Sequence, residues 1–228
     1  MDKVTICTSW DGKDYYSAEY VNKLFNSCRR NINMPFDFVL FAGPDVKENL
    51  LHDKIFIVQT RRSYWWPAMF FWMKHPPGVQ TKTKLFIDLD VVIVSPLDTL
   101  INYQSEHCYS RDWQGNTIPK GREDDVNSGI SLIRNGADSY VWDEYVKAGM
   151  PNWSPLEKTP GHKILRMAVQ GIINSKKCSY DLFPENICAS YKYTVKNRGL
   201  PKDCVTVHFH GRPKQHEVDE QWVKDNWR

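Results

Sequence analysis

The sequence predicts an α/β fold: a single domain over residues 1–228, with a mainly parallel central sheet flanked by helices. Three observations point there. Short β-branched runs alternate with helix-patterned segments through the first half of the chain. The composition, 41% hydrophobic and 25% charged, is that of an ordinary globular protein. A length of 228 residues supports one substantial core, and no repeat, low-complexity tract or obvious linker divides it.

The elements follow in order. "VTIC" (4–7) is β-branched and reads as the first strand. In "SAEYVNKLFNSCRR", Tyr20, Val21, Leu24, Phe25 and Cys28 fall at helical spacing; Ser17 suits the N-cap, and Arg29 and Arg30 suit the last turn. "FDFVLF" (36–41) alternates like a strand, "AGPD" breaks it, and "KIFIVQ" (54–59) is another strand. The aromatic block "SYWWPAMFFWMKH" (63–75) predicts a helix that begins near Pro67 and covers the sheet. "KLFIDLDVVIV" (84–94) reads as a core strand ending at Ser95-Pro96. Beyond it, "VNSGISLIR" (126–134) is a strand and "SYVWDEYVKAG" (139–149) a helix closed by Gly149. "GHKILRMAVQGIIN" (161–174) is a further helix, and "CVTVHFH" (204–210) a late strand.

The bulk numbers exclude several classes. A formal charge of +3 does not mark a nucleic-acid binder. The six cysteines are scattered without a CxxC pair or zinc spacing, so free thiols are expected. No signal peptide and no membrane span is visible, and a soluble, cytoplasmic protein is the expectation. The 9 Trp and 11 Tyr either fill the core or stack against rings in a cleft.

Asp88 and Asp90 are out of place in an apolar run. On a strand they share one face, while Leu89 faces the other way. Two carboxylates this close repel unless a cation lies between them, and a hard divalent ion with oxygen ligands, Mg²⁺ or Mn²⁺, meets that need. The other reading is a strand that ends there and lets both groups meet solvent. "VHFHGRPKQH" (207–216) is the second unusual stretch. His208 and His210 fall on one face of a strand leading into a turn at Gly211, with Arg212 and Lys214 beyond it. An imidazole can complete a metal's coordination, and the two cations suit a diphosphate. Surface histidines on a polar strand are the alternative.

Taken together, these segments resemble a GT-A-fold nucleotide-sugar glycosyltransferase, and among those the glycogenin-like retaining enzymes of glycosyltransferase family 8. His208, Gly211 and Lys214 match the family's H-x-x-G-x-x-K pattern. "VNSGISLI" is similar to its F-N-S-G-V segment, and "VQGIIN" (169–174) to D-Q-G-L-L-N except at the first position. The resemblance implies a GT-A-like domain with a nucleotide-binding half over about residues 1–100 and an acceptor-side half over about 101–228. It implies Asp88, Asp90 and His208 as ligands of Mn²⁺ or Mg²⁺, with Lys214 and Gly211 at the donor diphosphate. Asn127 and Ser128 would line the sugar and acceptor side, and Gln170 would lie beside the anomeric carbon. Thr8 to Tyr16 would hold base and ribose, with Tyr15 or Tyr16 stacking. Two departures stand out. The family's acid is Val169 here, with Asp112, Asp124 and Asp125 as candidate replacements. The usual lysine before the D-x-D strand has no match, with Arg61, Arg62 or Lys84 as candidates.

The resemblance therefore implies metal-dependent transfer of a sugar, from a UDP-sugar first of all, to an acceptor hydroxyl with retention. Glycan, lipid, protein and a hydroxylated DNA base are the candidate acceptors. A non-catalytic nucleotide-sugar-binding module and a metal-dependent phosphohydrolase are the competing readings.

Overall fold

Period-two alternation sorts the first strand into two faces, and both layers of the core follow from it. In the computed structural model, which describes residues 3–13, 16–113, 125–150, 168–175 and 180–228, strand β1 (Val4–Trp10) sends Val4 and Ile6 to one side and Cys7 to the other. The first side packs against α1 (Ala18–Asn31) through Tyr20, Val21, Leu24, Phe25 and Cys28, the residues its helical spacing predicts. Ser17 stands at the N-cap position but its side chain makes no capping bond. The opposite side of the sheet is covered by the aromatic block. Pro67 does sit at its start, but Trp66–Trp72 winds as a 3₁₀ helix, burying Trp66, Met69, Phe71 and Trp72. Three residues per turn set Trp66, Met69 and Trp72 above one another on one buried face.

The described residues form a seven-stranded sheet in the order β3-β2-β1-β4-β7-β6-β8. These are β2 (Phe36–Ala42), β3 (Phe56–Gln59), β4 (Thr83–Ile87), β6 (His107–Arg111), β7 (Val126–Arg134) and β8 (Asp181–Leu182). Strands β3, β2, β1 and β4 run parallel; β7 is antiparallel to both its neighbours, and β8 is parallel to β6. The carboxyl ends of β1–β4 and β6 thus share one edge with the start of β7. Helices α2 (Asp98–Ile101), α3 (Tyr140–Lys147) and α4 (Ala168–Ser175) complete the flanks. Residues 161–167 of the predicted late helix lie outside the described residues. The sequence reading missed β6, β8 and β9 (Cys188–Ser190), which are short and carry little alternation.

A smaller sheet, β5-β10-β9, joins β5 (Val91–Ile93) to β10 (Thr206–His208) and β9. The predicted strand 204–210 is therefore shorter than expected, since its last two residues turn away toward Gly211. The C-terminal segment returns to α1. The Ser27 hydroxyl donates to the Asn226 carbonyl at 2.9 Å, and Arg30 donates to the carbonyls of Asn226 and Arg228 at 2.8 and 2.9 Å. Helix α5 (Gln221–Asn226) leads into Trp227, which packs on Tyr20 and receives the Lys23 amine 3.8 Å above its ring. Among the described residues no helix is long and apolar enough to cross a membrane.

The five described cysteines are free and buried. Burial pushes the thiols of Cys7 and Cys188 up to about 12 and that of Cys204 to about 11; Cys28 and Cys108 are raised as well. A group raised on folding lends stability that is complete below its unfolded pKa and is lost as pH rises toward the folded one. Stability should therefore fall above pH 9, by about 1 kcal/mol per thiol for each pH unit. Lys84, lowered by burial to about 8, works in the opposite sense as a single group. Urea midpoints at pH 8 and 10.5, with thiol labelling of the native protein, check this. Two or more rapidly labelled native thiols would contradict it, because only Cys178 lies outside the described set.

Candidate metal centre

The D-x-D segment is where the chain changes sheets. Strand β4 ends at Ile87 in the large sheet, and β5 begins at Val91 in the small one. Between them Asp88–Leu89–Asp90 forms a turn, in which the Val91 N–H donates to the Asp88 carbonyl at 3.2 Å and the Asp88 N–H donates to the Gly129 carbonyl at 2.8 Å. The expectation of one continuous strand is thereby corrected, because the turn interrupts the extended backbone between the two sheets. Leu89 is buried in the core, and this anchors the turn while the two carboxylates face away from it.

His208 arrives from the end of β10, whose register pairs it with Val91. Ligand atoms of Asp88, Asp90 and His208 all lie within 4.8 Å of one another. His208 Nε2 donates to Asp90 Oδ1 at 2.9 Å, and the Lys214 amine donates to Asp90 Oδ2 at 2.8 Å. Burial opposes the Asp90 charge, but His208 and Lys214 overcome it and hold its carboxyl well below the usual carboxylate range. Asp88 has no such partner. Burial, then the neighbouring Asp90 charge, pushes it up to about 6. For His208, burial works against protonation, and Asp90 followed by Asp88 reverses the balance, so its pKa is raised.

Three features fit a divalent cation. The donor set is two carboxylates and an imidazole, a set suited to Mn²⁺ or Mg²⁺ rather than to a thiolate metal. The Nδ1 of His208 is buried without a hydrogen-bond partner. Gly129 leaves the space open: a Cβ there would fall 2.3 Å from His208 Cε1, 2.7 Å from Asp88 Oδ2 and 2.9 Å from Asn127 Oδ1. The glycine of the N-S-G segment is thus required by the cluster itself.

Other predicted residues gather at the same edge. Tyr16 receives the Lys214 amine at 2.8 Å and its hydroxyl donates to Asp90 at 3.2 Å; burial, then Asp90, raises its phenol. Asn127 accepts the Gly129 N–H at 2.9 Å, and Ser128 is half-buried beside it. Gln170 is half-buried on α4, one turn before Asn174, whose Oδ1 accepts the Val126 N–H at 3.1 Å; the helix therefore lies along the start of β7. Val169 is half-buried and packs against the aromatic cluster. Asp112 donates its N–H to the Asp125 carbonyl at 2.8 Å where β6 and β7 meet. Tyr15 and Asp124 lie outside the described residues.

Other predicted residues are buried or have local partners of their own. Thr8 is fully buried inside β1 and offers a donor no surface. Lys84 donates to the carbonyls of Phe71 and Met73 and so ties the aromatic 3₁₀ helix to β4, away from the carboxylates. Arg62 donates to the Met150 carbonyl at 2.8 Å. Arg212 is exposed and pairs with Glu217. His210 lies beside His208, ring centroids 5.7 Å apart with planes nearly perpendicular, and bonds Ser190 Oγ at 2.7 Å, stacked against both Trp113 and Tyr193.

The sequence reading missed Asp11. Buried at the end of β1, its carboxylate accepts the N–H groups of Lys13 and Tyr64, each at 3.0 Å, and joins the loops after β1 and β3. An Asp just past a strand in a D-G pair reads only as a turn, which concealed its longer reach.

No protein-family model and no curated protein matches the sequence. Solved structures do. The chain is similar to the glycosyltransferase GlyE of Streptococcus pneumoniae at TM-score 0.60 and 14% identity, over 97% of this chain and 57% of that one. It is similar to an active-site mutant of LgtC at TM-score 0.60 and 12% identity, over 98% and 93% of the two chains. Against the bifunctional glycosyltransferase WbbM the TM-score is 0.63 at 14% identity, over 98% of this chain and 49% of that one. The chain thus spans little more than half of GlyE, about half of WbbM and nearly all of LgtC. Its fold is the GT-A fold of these glycosyltransferases.

Proposed function

We propose that the protein is a divalent-metal-dependent glycosyltransferase that moves a sugar from a nucleotide-diphosphate sugar to an acceptor hydroxyl. The observation that carries this reading is the Asp88–Asp90–His208 cluster at the carboxyl edge of the parallel strands, with Gly129 leaving room for it. That edge is where α/β sheets bind nucleotides. Support comes also from LgtC, a galactosyltransferase solved with donor and acceptor sugar analogues.

A cation held by Asp88, Asp90 and His208 would supply Lewis-acid stabilisation of the donor diphosphate. The chain's own residues do the rest. Lys214 balances the Asp90 charge and stands ready to meet a diphosphate once Asp90 takes a cation as partner. Tyr16 closes the donor side, and Asn127, Ser128 and Gln170 line the sugar side. As the anomeric C–O bond breaks, its electron pair stays on the β-phosphate oxygen. The acceptor oxygen bonds the same carbon, and its proton passes to that phosphate oxygen. We favour this front-face course, with retention, because position 169 is a packed valine and position 170 an amide, so neither supplies a carboxylate nucleophile. UDP is the expected nucleotide.

Calorimetry with UDP-, GDP- and CDP-sugars, with and without Mn²⁺, tests the reading. One of them should bind only with the metal. No binding by any of them, or full binding in EDTA, would end it. Donor hydrolysis without acceptor at the rate of the best transfer would mark a phosphohydrolase instead.

Gln170→Ala should lower kcat about tenfold or more with little change in donor affinity, since its contact with the sugar matters mainly in the transition state. Val169→Asp should harm the protein by about 1–3 kcal/mol, because the carboxylate would enter the aromatic cluster without a partner. Turnover and urea midpoints of both variants check the pair.

A further inference from the structure

Lys214 is the cation that the H-x-x-G-x-x-K pattern offers to a diphosphate, yet its amine is committed. An ammonium has three N–H donors. Those of Lys214 go to Asp90 Oδ2 at 2.8 Å, the Tyr16 hydroxyl at 2.8 Å and the Phe209 carbonyl at 3.3 Å. Arg212, the other cation of the loop, is taken by Glu217. Until a cation takes Asp90, then, this loop offers a leaving diphosphate little free positive charge, and a further amine within reach would add to what the cation and Lys214 bring.

Lys192 stands there. Its amine lies 3.5 Å from the point a Cβ on Gly211 would occupy, above the midpoint of the loop between His208 and Lys214. Gly211 has φ +72°, a left-handed conformation that keeps a side chain out of this gap. Lys3, Lys13, Lys23, Lys147, Lys214 and Lys224 each hold a carboxylate, and several other described lysines, Lys47 and Lys196 among them, do not. Among the described residues Lys192 forms no ion pair.

Its placement is built rather than incidental. Tyr191–Val195 is π-helical, a winding that recurs at functional sites. Tyr191 turns inward and stacks on Phe209, with centroids 4.5 Å apart. Ser190 Oγ accepts the Tyr193 N–H at 3.2 Å and also bonds His210 Nε2, while the Tyr193 ring stacks on His210. Lys192 is thus clamped on both sides to the residue that precedes Gly211.

We propose that Lys192 is a donor-binding residue, whose amine contacts the diphosphate across the loop at Gly211 and neutralises the charge left on the β-phosphate when the anomeric bond breaks. This rests on the nucleotide-sugar reading above and adds to it a cation from outside the H-x-x-G-x-x-K pattern.

The test is calorimetry of the full chain in Mn²⁺ with UDP, GDP, CDP and ADP, and with the corresponding nucleosides. For the nucleotide that the wild type binds, Lys192→Met should weaken diphosphate binding about tenfold, leave nucleoside binding and the urea midpoint unchanged, and be largely rescued in Lys192→Arg. Unchanged diphosphate affinity in Lys192→Met overturns the proposal alone and identifies a solvated surface lysine. An equal loss for diphosphate and nucleoside also overturns it. If the wild type binds none of the four diphosphates, the donor reading fails, and this proposal with it.

Discussion

Asp90→Asn should abolish metal-supported donor binding and also destabilise the protein, whereas Asp88→Asn should abolish binding and leave stability unchanged or higher. The two carboxylates are near neighbours in one turn, but their surroundings differ. Asp90 is buried against His208 and Lys214, and removing its charge leaves two buried cations without their counter-charge. Breaking a buried pair costs about 3–5 kcal/mol, and the amide's remaining hydrogen bonds place the expected loss toward the lower end. Asp88 lacks such a partner, and burial has already pushed its carboxyl up. Neutralising it removes repulsion along with ligation. Urea denaturation without metal, set beside Mn²⁺ titration of each variant, separates the outcomes. Equal stability losses in both would show that the charge balance is not the one described.

Gly129→Ala should be as damaging to the site as loss of a ligand, although Gly129 contributes no side chain. The added methyl would meet His208, Asp88 and Asn127 together, each closer than 3.0 Å. His208 is buried at the end of a paired strand and Asp88 is fixed by its backbone bond to residue 129 itself, so neither can step aside freely. Overpacking of this kind costs about 1–3 kcal/mol. The expected readout is a fall of at least 100-fold in Mn²⁺ affinity, with a smaller loss of folding stability. Near-normal metal affinity in Gly129→Ala would mean that the three residues do not converge on one ion.

The elements that could be read from sequence were those whose pattern serves one partner. Strand β7 matched its predicted bounds, 126–134, and the core face of α1 emerged residue by residue. The D-x-D run misled because its two halves are equally apolar, and nothing local says that Val91 belongs to a different sheet from Ile87. Asp88 and Asp90 stood out because a carboxylate pair in an apolar frame is costly wherever the frame leads, and His208, which the family resemblance had added, lies within 4.8 Å of them. Lys84 and Arg62 illustrate the opposite case. A cation near a motif in sequence is free to bond any carbonyl the fold brings near, and here those carbonyls belong to Phe71 and Met150. Lys192 carried no signal at all, because its nearness to Gly211 depends on a loop nineteen residues later.

The return of the C-terminal segment to α1 would make a cation at Asp88, Asp90 and His208 a staple. Asp90 and His208 are 118 residues apart in the chain, and Asp90 and Lys214 are 124 apart. Closing a loop of that length costs roughly 4 kcal/mol of chain entropy. A bound ion resists its reopening, and the bonds from Ser27 and Arg30 hold the far end against drift. The melting temperature should therefore depend on free Mn²⁺, with about 2.7 kcal/mol gained at a hundred times the dissociation constant. On the metal reading, ion supply would set the stability of the folded chain independently of whether any sugar is present.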